Sequence, residues 1–395
     1  MLELSGMGKS IKDFAFLSFI TLILTLIIWL PHIFALPNFW GLSFKEGFST
    51  IYRNFDGLEY IVIAKTFYDP QKIAQMPQSL PANYYAAHFP GYAALILTLA
   101  PLFGYLKSML FISLIFTVLS AWVFYFLVKE FKLTSHPLFL SILFLILPAR
   151  WLIVHSVGSA EPLFICFVLL SLYGFMKFEQ INKTGWIWLA AFGGLGAQLT
   201  RPPAILLAIS YSLYIHYKVY LNSKHMGWKK AIVDHFKYLP LLLIPLTLFG
   251  VFYIFQISYH DFWAYFHSGD NIHLTFPPFQ VFNKHQFWVG DIWLEDIVYI
   301  FILGFLGGVT LWRKKLYPLA FFVLTYLTAS TLIAHRDISR YVLPVTPFVL
   351  IAFEKILNSK EFKIILPIIL FAIYLYTQNF LLQNVAPFPN LQLFN

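Results

Sequence analysis

The sequence predicts an all-α fold: a polytopic membrane helix bundle. Of its 395 residues, 59% are hydrophobic and 11% charged, with a mean hydropathy of +0.72. Soluble domains run at roughly 45–50% apolar and about 25% charged residues. The second observation is spacing: apolar runs near the roughly 20 residues that a helix needs to cross a bilayer alternate with short polar or basic segments. The net charge of +9 is divided among those segments and forms no single patch, which excludes nucleic acid as the expected partner. Cys166, the one cysteine, lies inside an apolar run, so there is no intrachain disulfide framework.

Asp13–Leu36 is the first expected span, too long for the core of a signal peptide and without a small-residue cleavage site. Lys9 and Lys12 precede it and place that end in the cytoplasm. An outer loop, 37–107, follows. It ends in an apolar stretch, Gly91–Gly104, of about 14 residues, a length expected of a re-entrant or interfacial helix. The remaining spans are expected at 108–128, 137–154, 162–178, 185–200, 203–221, 238–257, 294–312, 316–333, 341–357 and 364–382, eleven in all with the first. A second large outer loop covers 258–293, and the whole chain, 1–395, reads as one integral membrane domain.

Charge supports this threading. With the short stretch dipping in but not crossing, 17 of the 27 Lys and Arg fall inside and 10 outside. The loop Lys218–Lys237 alone carries five lysines on the inner side. Eleven of the 18 acids and eight of the 12 histidines show the opposite bias. Those acids are Glu46, Asp56, Glu59, Asp69, Glu161, Asp261, Asp270, Asp291, Glu295, Asp296 and Asp337, and Lys284 is the one lysine of the second outer loop. Chemistry is therefore expected on the outer face. A transporter or lipid flippase would instead keep its ionisable residues near the bilayer midplane. A non-enzymatic assembly subunit would fit the composition but gives no reason for an ordered set of motifs.

No phosphate-binding GxxxxGK[ST] loop, HExxH, CxxC or GxSxG occurs. The run Gly193-Gly194-Leu195-Gly196 lies inside a span and reads as a close helix-packing site. What remains are polar groups at the outer edge. In Asn54–Tyr68, Asp56 and Glu59 share a helix side with Tyr60 and Ile63, and Asn54 is placed to cap that helix. Ordinary capping chemistry accounts for Asp56 as well. Glu161 precedes Pro162 at a helix start, where a carboxylate is also favoured by the dipole alone. Arg201 could simply snorkel to the interface, and His88 could be loop punctuation. His335-Arg336-Asp337-Ile338-Ser339-Arg340-Tyr341 is harder to explain structurally: it holds two arginines on the side where positive charge is disfavoured, and arginine's planar fork suits phosphate.

Phe55-Asp56-Gly57, followed by Tyr60, Ile63-Ala64 and Phe67-Tyr68, resembles the WDGxxYxxIAxxGY signature of the second mannosyltransferase of GPI-anchor synthesis and its prokaryotic relatives. Phe89-Pro90-Gly91-Tyr92 resembles that family's FFPLYP turn, Ser159-Ala160-Glu161-Pro162-Leu163-Phe164 its S-E-x-L-F segment, and Thr200-Arg201 its T-R pair. Arg340-Tyr341 with Pro344 and Pro347 is similar to the R-Y-x-L-P-x-x-P run of the wider GT-C glycosyltransferase class. Phe55 stands where the family has Trp, Gly91 where it has Leu, and Pro202-Pro203 where it has Asn-x-Gly.

The resemblance implies a GT-C-type bundle and an inverting glycosyltransferase that moves a hexose, mannose by the family pattern. The donor would be a polyprenyl-phosphate sugar, and the acceptor a lipid-linked or surface glycan. Asp56 would be the base. Glu161 would orient the acceptor or, more loosely, hold a divalent metal; no other cofactor is implied. Arg201, Arg336 and Arg340 would hold the donor phosphate, and Glu59, Tyr60, His88, His335 and Tyr341 would line the substrate. The site would face the extracytoplasmic side of a plasma membrane in a prokaryote, or of the endoplasmic reticulum in a eukaryote.

Overall fold

Helix length and breakage decide how the apolar sequence is used. In the computed structural model, residues 2–77, 80–233, 235–269, 273–283, 285, 294–387 and 391–394 are described. Asp270, Lys284 and Asp291 of the expected outer loop lie outside them. Among the described residues seven helices are long and apolar enough to cross a bilayer: Ser10–Ile33, Tyr105–Glu130, Glu161–Ile181, Pro202–His225, Phe236–Tyr259, Leu294–Arg313 and Lys360–Gln383. This is a multi-pass integral membrane protein.

The stretch 137–154, expected as one straight span, is a pair, Pro137–Ile146 and Ala149–His155, bent by 75°. Pro148 has no N–H to continue the ladder, and it drives Leu147 into extended backbone at φ −105°, ψ 137°. Three other expected spans are shorter helices. Thr184–Thr200 has 17 residues and Tyr317–Ser330 has 14. Ile338–Ala352 is interrupted by a 3-10 turn at Leu343–Val345, where Pro344 removes a donor. The stretch expected to dip in is the 14-residue helix Pro90–Phe103. At 1.5 Å per residue it reaches about 21 Å, short of the roughly 30 Å hydrocarbon core.

In chain order the helices are α1 Leu2–Ile33, α2 Ser49–Tyr52, α3 Gly57–Thr66, α4 Pro70–Ile73, α5 Pro90–Phe103, α6 Tyr105–Glu130, α7 Pro137–Ile146, α8 Ala149–His155 and α9 Glu161–Ile181. They continue as α10 Thr184–Thr200, α11 Ile205–Met226, α12 Trp228–Val233, α13 Leu243–Tyr259, α14 Leu294–Arg313, α15 Tyr317–Ser330, α16 Ile338–Tyr341, α17 Thr346–Ala352, α18 Glu354–Leu357 and α19 Lys360–Gln383. The chain divides into two compact units, Met1–Cys166 with Glu354–Asn395, and Phe167–Phe353.

In the first unit α5 packs on α3 and α6, α6 on α1 and α7, and α8 on α19. Gly104 makes the α5–α6 corner at φ +74°, a left-handed value that a side chain would oppose. His32 of α1 and Gln378 of α19, both fully buried, meet at 3.0 Å, and Gln378 also donates to the Ile28 carbonyl at 2.9 Å. Buried polar groups need partners, so this pair fixes the register of the two helices. The C-terminal tail folds back beside α3: Ala386 N–H donates to the Arg53 carbonyl at 2.9 Å, Lys65 donates to the Leu393 carbonyl at 3.4 Å, and Phe394 is buried.

In the second unit α10 packs on α13, α11 on α15, and α14 on α15 and α17. The glycine run of α10 is the expected packing site: a Cβ on Gly193 would stand 2.7 Å from the Ser171 nitrogen, and one on Gly194 2.3 Å from Ile244 Cδ1. Glu179 is enclosed by donors, from Tyr214 at 2.5 Å, Lys218 at 2.6 Å and the Tyr238 hydroxyl.

Candidate active site

Asp56 occupies the position before α3 and is half-buried. Its carbonyl accepts the Tyr60 N–H at 3.2 Å, but its side chain makes no capping bond. The expected cap, Asn54, does something else. It is fully buried; its amide donates to the carbonyls of Thr50 at 2.8 Å and Leu381 at 3.0 Å, and its oxygen accepts from Asn384 at 3.3 Å. A buried amide has to satisfy its donors and acceptor where partners exist, and here they lie in α2 and at the end of α19. The helix end therefore does not claim the Asp56 carboxylate, and capping does not account for that residue.

Glu161, 105 residues further on, opens α9 and is fully buried. Ser159 donates its hydroxyl to the Glu161 carboxylate, and the Ser159 backbone is held in turn by Ser113, which donates to the Ser159 carbonyl at 3.0 Å and accepts its N–H at 3.1 Å. Two glycines bring this turn against α3. A Cβ on Gly57 would lie 2.7 Å from the Gly158 carbonyl oxygen and 2.6 Å from Met109 Sδ, and a Cβ on Gly158 would lie 2.3 Å from the same sulfur. The residue after Asp56 thus touches the backbone three residues before Glu161. Gly57→Ala is expected to destabilise the fold by about 1–3 kcal/mol, the usual cost of overpacking. Thermal unfolding in detergent checks it, and Met109→Ala should not restore the loss, because the carbonyl contact is backbone.

Glu59 and Tyr60 are buried on α3, and the Tyr60 ring stands edge-on to His88 at 5.3 Å and to Tyr92 at 5.0 Å. His88 is buried, and its carbonyl accepts the Tyr68 hydroxyl at 2.6 Å. Asp56, Glu59, Tyr60 and His88 therefore share one neighbourhood, α3 and the entry to α5.

In the second unit the segment 331–341 is strapped to 273–279: Ala334 N–H donates to the His273 carbonyl at 2.8 Å, and Thr275 N–H to that of Leu332 at 2.7 Å. The His335 ring stacks on His273 at 4.2 Å and lies 5.5 Å from Tyr341. Burial pushes His335 down to about 4, helped by His273, Arg336 and Arg340 and opposed by Asp337. The Asp337 N–H donates to His335 Nδ1 at 3.0 Å, so the neutral ring carries its proton on Nε2, a potential donor. Arg340 is buried, with 6% of its surface exposed, whereas Arg336 is exposed. His335, Arg336, Arg340 and Tyr341 are thus together. Arg201 lies apart in sequence at the end of α10, where its charge lowers the pKa of Tyr265 against a larger upward push from burial.

The residues least legible in the sequence are Arg150 and Phe380. Arg150 opens α8 just after the Pro148 bend, and its guanidinium lies over the Phe380 ring at 4.1 Å. The other face-stacked partner of Phe380 is Phe55, at 5.6 Å and 22°. A cation inside an apolar run was the available signal.

No family model matches the sequence, and no curated protein does. Solved structures do. ArnT from Cupriavidus metallidurans bound to undecaprenyl phosphate superposes with a TM-score of 0.55 at 12% identity, over 88% of this chain and 61% of that one. The chain shares with it a polytopic helical membrane fold. ArnT in the apo state gives 0.51 at 12% identity, over 79% and 57%. The chain spans about three fifths of the ArnT length. At this identity the likeness carries architecture and leaves side-chain roles to the local geometry.

Proposed function

We propose that this chain is a membrane glycosyltransferase that takes a sugar from a polyprenyl-phosphate donor and passes it to a glycan or glycolipid acceptor on the extracytoplasmic face. The observation that carries the reading is the fold, shared with a protein whose structure holds undecaprenyl phosphate. The motif resemblance adds a hexose, mannose, as the sugar.

The chemistry asks little of the protein. The bond from the sugar's anomeric carbon to the phosphate oxygen breaks, with its electron pair leaving on phosphate. An acceptor hydroxyl oxygen bonds to the opposite face of that carbon, inverting it, and its proton goes to a carboxylate. Glycosidases need a second carboxyl group to protonate a poor leaving group, but a lipid phosphate leaves readily and needs cations instead. Asp56, not engaged in capping, is the proton acceptor. Among the described residues no three His, Cys, Asp or Glu side chains converge to hold a metal ion. Glu161 is given the role of orienting the acceptor or, more loosely, of holding a divalent metal together with the donor phosphate. Arg340, with Arg336 and Arg201, stabilises the phosphate, and neutral His335 donates a hydrogen bond to the substrate.

Purified protein incubated with radiolabelled undecaprenyl- or dolichyl-phosphate mannose, glucose and galactose tests this. Release or transfer of label from at least one donor is expected. Inertness toward all of them, with the lipids intact and the protein folded, would sink the reading.

A further inference from the structure

We infer that the groove between α11 and the start of α13 binds an anionic phospholipid, with an acyl chain along the groove and the phosphate beside Lys218 and Lys237. The groove lies wholly within the second unit and encloses about 460 Å³. It runs along α11 from Ile205 to Ile215 and is faced by the 3-10 turn Phe236–Leu242, which contributes Tyr238. Ten residues of helix at 1.5 Å each make it about 15 Å long, half of the roughly 30 Å hydrocarbon core. That is the depth of one leaflet. Ile209 and Leu242, on opposite walls, are both exposed, so the groove opens sideways, where the acyl chains of a bilayer lie. Its side-chain lining is apolar apart from hydroxyls, and two of those are engaged elsewhere: Tyr211 with Ser171 at 2.8 Å, and Tyr238 with the Glu179 carboxylate. The wall therefore offers hydrocarbon to an occupant.

The chemistry changes at the Tyr238 end. The Lys218 ammonium lies 3.1 Å from the Tyr238 hydroxyl and 2.6 Å from Glu179, and the Lys237 ammonium lies 5.8 Å from the Tyr238 ring centroid. Two cations gather at this ring against one carboxylate. The segment 218–237 adds Lys224, Lys229 and Lys230, all exposed, against a single acid, Asp234. An apolar groove that ends in surplus positive charge complements an amphiphile with an anionic head. The bias of basic residues toward the cytoplasm puts this end at the inner leaflet, where anionic phospholipids reside.

A polyprenyl phosphate has the same head chemistry, but the donor-phosphate site proposed above lies elsewhere. Arg201 stands before the opposite end of α11, and Ile205–Lys218 alone is about 20 Å of helix. The inference is independent of the glycosyltransferase reading. A bound chain would bridge α11 and α13, and a ligand held only by the folded state stabilises it.

Native mass spectrometry of the full chain, purified in detergent and stripped of lipid, tests the site. Dioleoyl-phosphatidylglycerol and dioleoyl-phosphatidylcholine are titrated separately. One phosphatidylglycerol should bind at least about fivefold more tightly than phosphatidylcholine, since each lysine near an anionic surface contributes about that factor. Lys237→Ala should weaken phosphatidylglycerol about fivefold and leave phosphatidylcholine unchanged. Ile209→Trp fills the groove from one wall and should weaken both lipids; Leu242→Trp fills it from the other and should act alike. In thermal unfolding, phosphatidylglycerol should raise the midpoint of the wild type more than that of either filled variant.

Equal affinity for the two lipids overturns the inference, as does phosphatidylglycerol binding that survives both tryptophans. A wild-type preference for undecaprenyl phosphate over phosphatidylglycerol would make the groove a carrier site instead. Displacement of the lipid by inorganic phosphate would show that the head alone is held and the groove is not used. A dimer that takes up no lipid would mean that a second copy covers this face.

Discussion

Asp56→Asn is expected to leave a folded, membrane-inserted protein whose sugar transfer has fallen by at least about 10²-fold, the usual scale for a positioned base. The structure sharpens this expectation. Asp56 makes no capping bond, so exchange for an isosteric amide takes no cap from the end of α3. Asn54, Phe55 and Gly57, which fasten that end of the helix, are untouched. Stability and activity should therefore separate: an unchanged unfolding temperature and elution profile in detergent, with the loss confined to kcat. Single-turnover transfer of radiolabelled sugar from the active donor measures it. An Asn variant with wild-type turnover would mean that another group takes the acceptor's proton.

The parts of the molecule legible in the sequence are those that depend on local composition. Hydropathy and length locate the helices, the short Gly91–Gly104 stretch is recognisable as too short to cross, and the glycine run of α10 reads as a packing face. What the sequence hides are partners fixed by tertiary packing. Asn54 looks like a cap because a cap is the nearest use for its side chain; its real partners, Leu381 and Asn384, lie more than 300 residues away. His335 looks like a free ligand until His273 stacks on it. Pro148 is visible, but the apolar residues on both sides of it read as one continuous span. Only the 75° bend shows that Arg150 is turned onto α19. The proximity of Gly57 to Gly158 has no sequence signal beyond the two glycines, yet it joins the Asp56 and Glu161 turns.

Arg340→Ala is expected to lower kcat/KM for the donor by about 10²–10³-fold, the effect of removing one preorganised donor from a developing anion. Arg340 is the stronger candidate of the pair because it is buried, whereas Arg336 is exposed. A desolvated charge acts across a lower effective dielectric and is screened less by salt. His335 beside it is held down to about 4 by burial first, then by His273, Arg336 and Arg340, with Asp337 opposing. The segment 335–341 carries two arginines against one acid, Asp337, a positive balance that a lipid phosphate at headgroup depth would complement. Arg340→Lys keeps the charge but loses the two-pronged geometry, so its loss should fall between wild type and Arg340→Ala. Donor concentration curves for the three proteins, normalised to folded protein, decide the matter. A purely structural arginine would lower the unfolding temperature of Arg340→Ala while leaving the three normalised curves superimposed, and that result would remove Arg340 from the donor site.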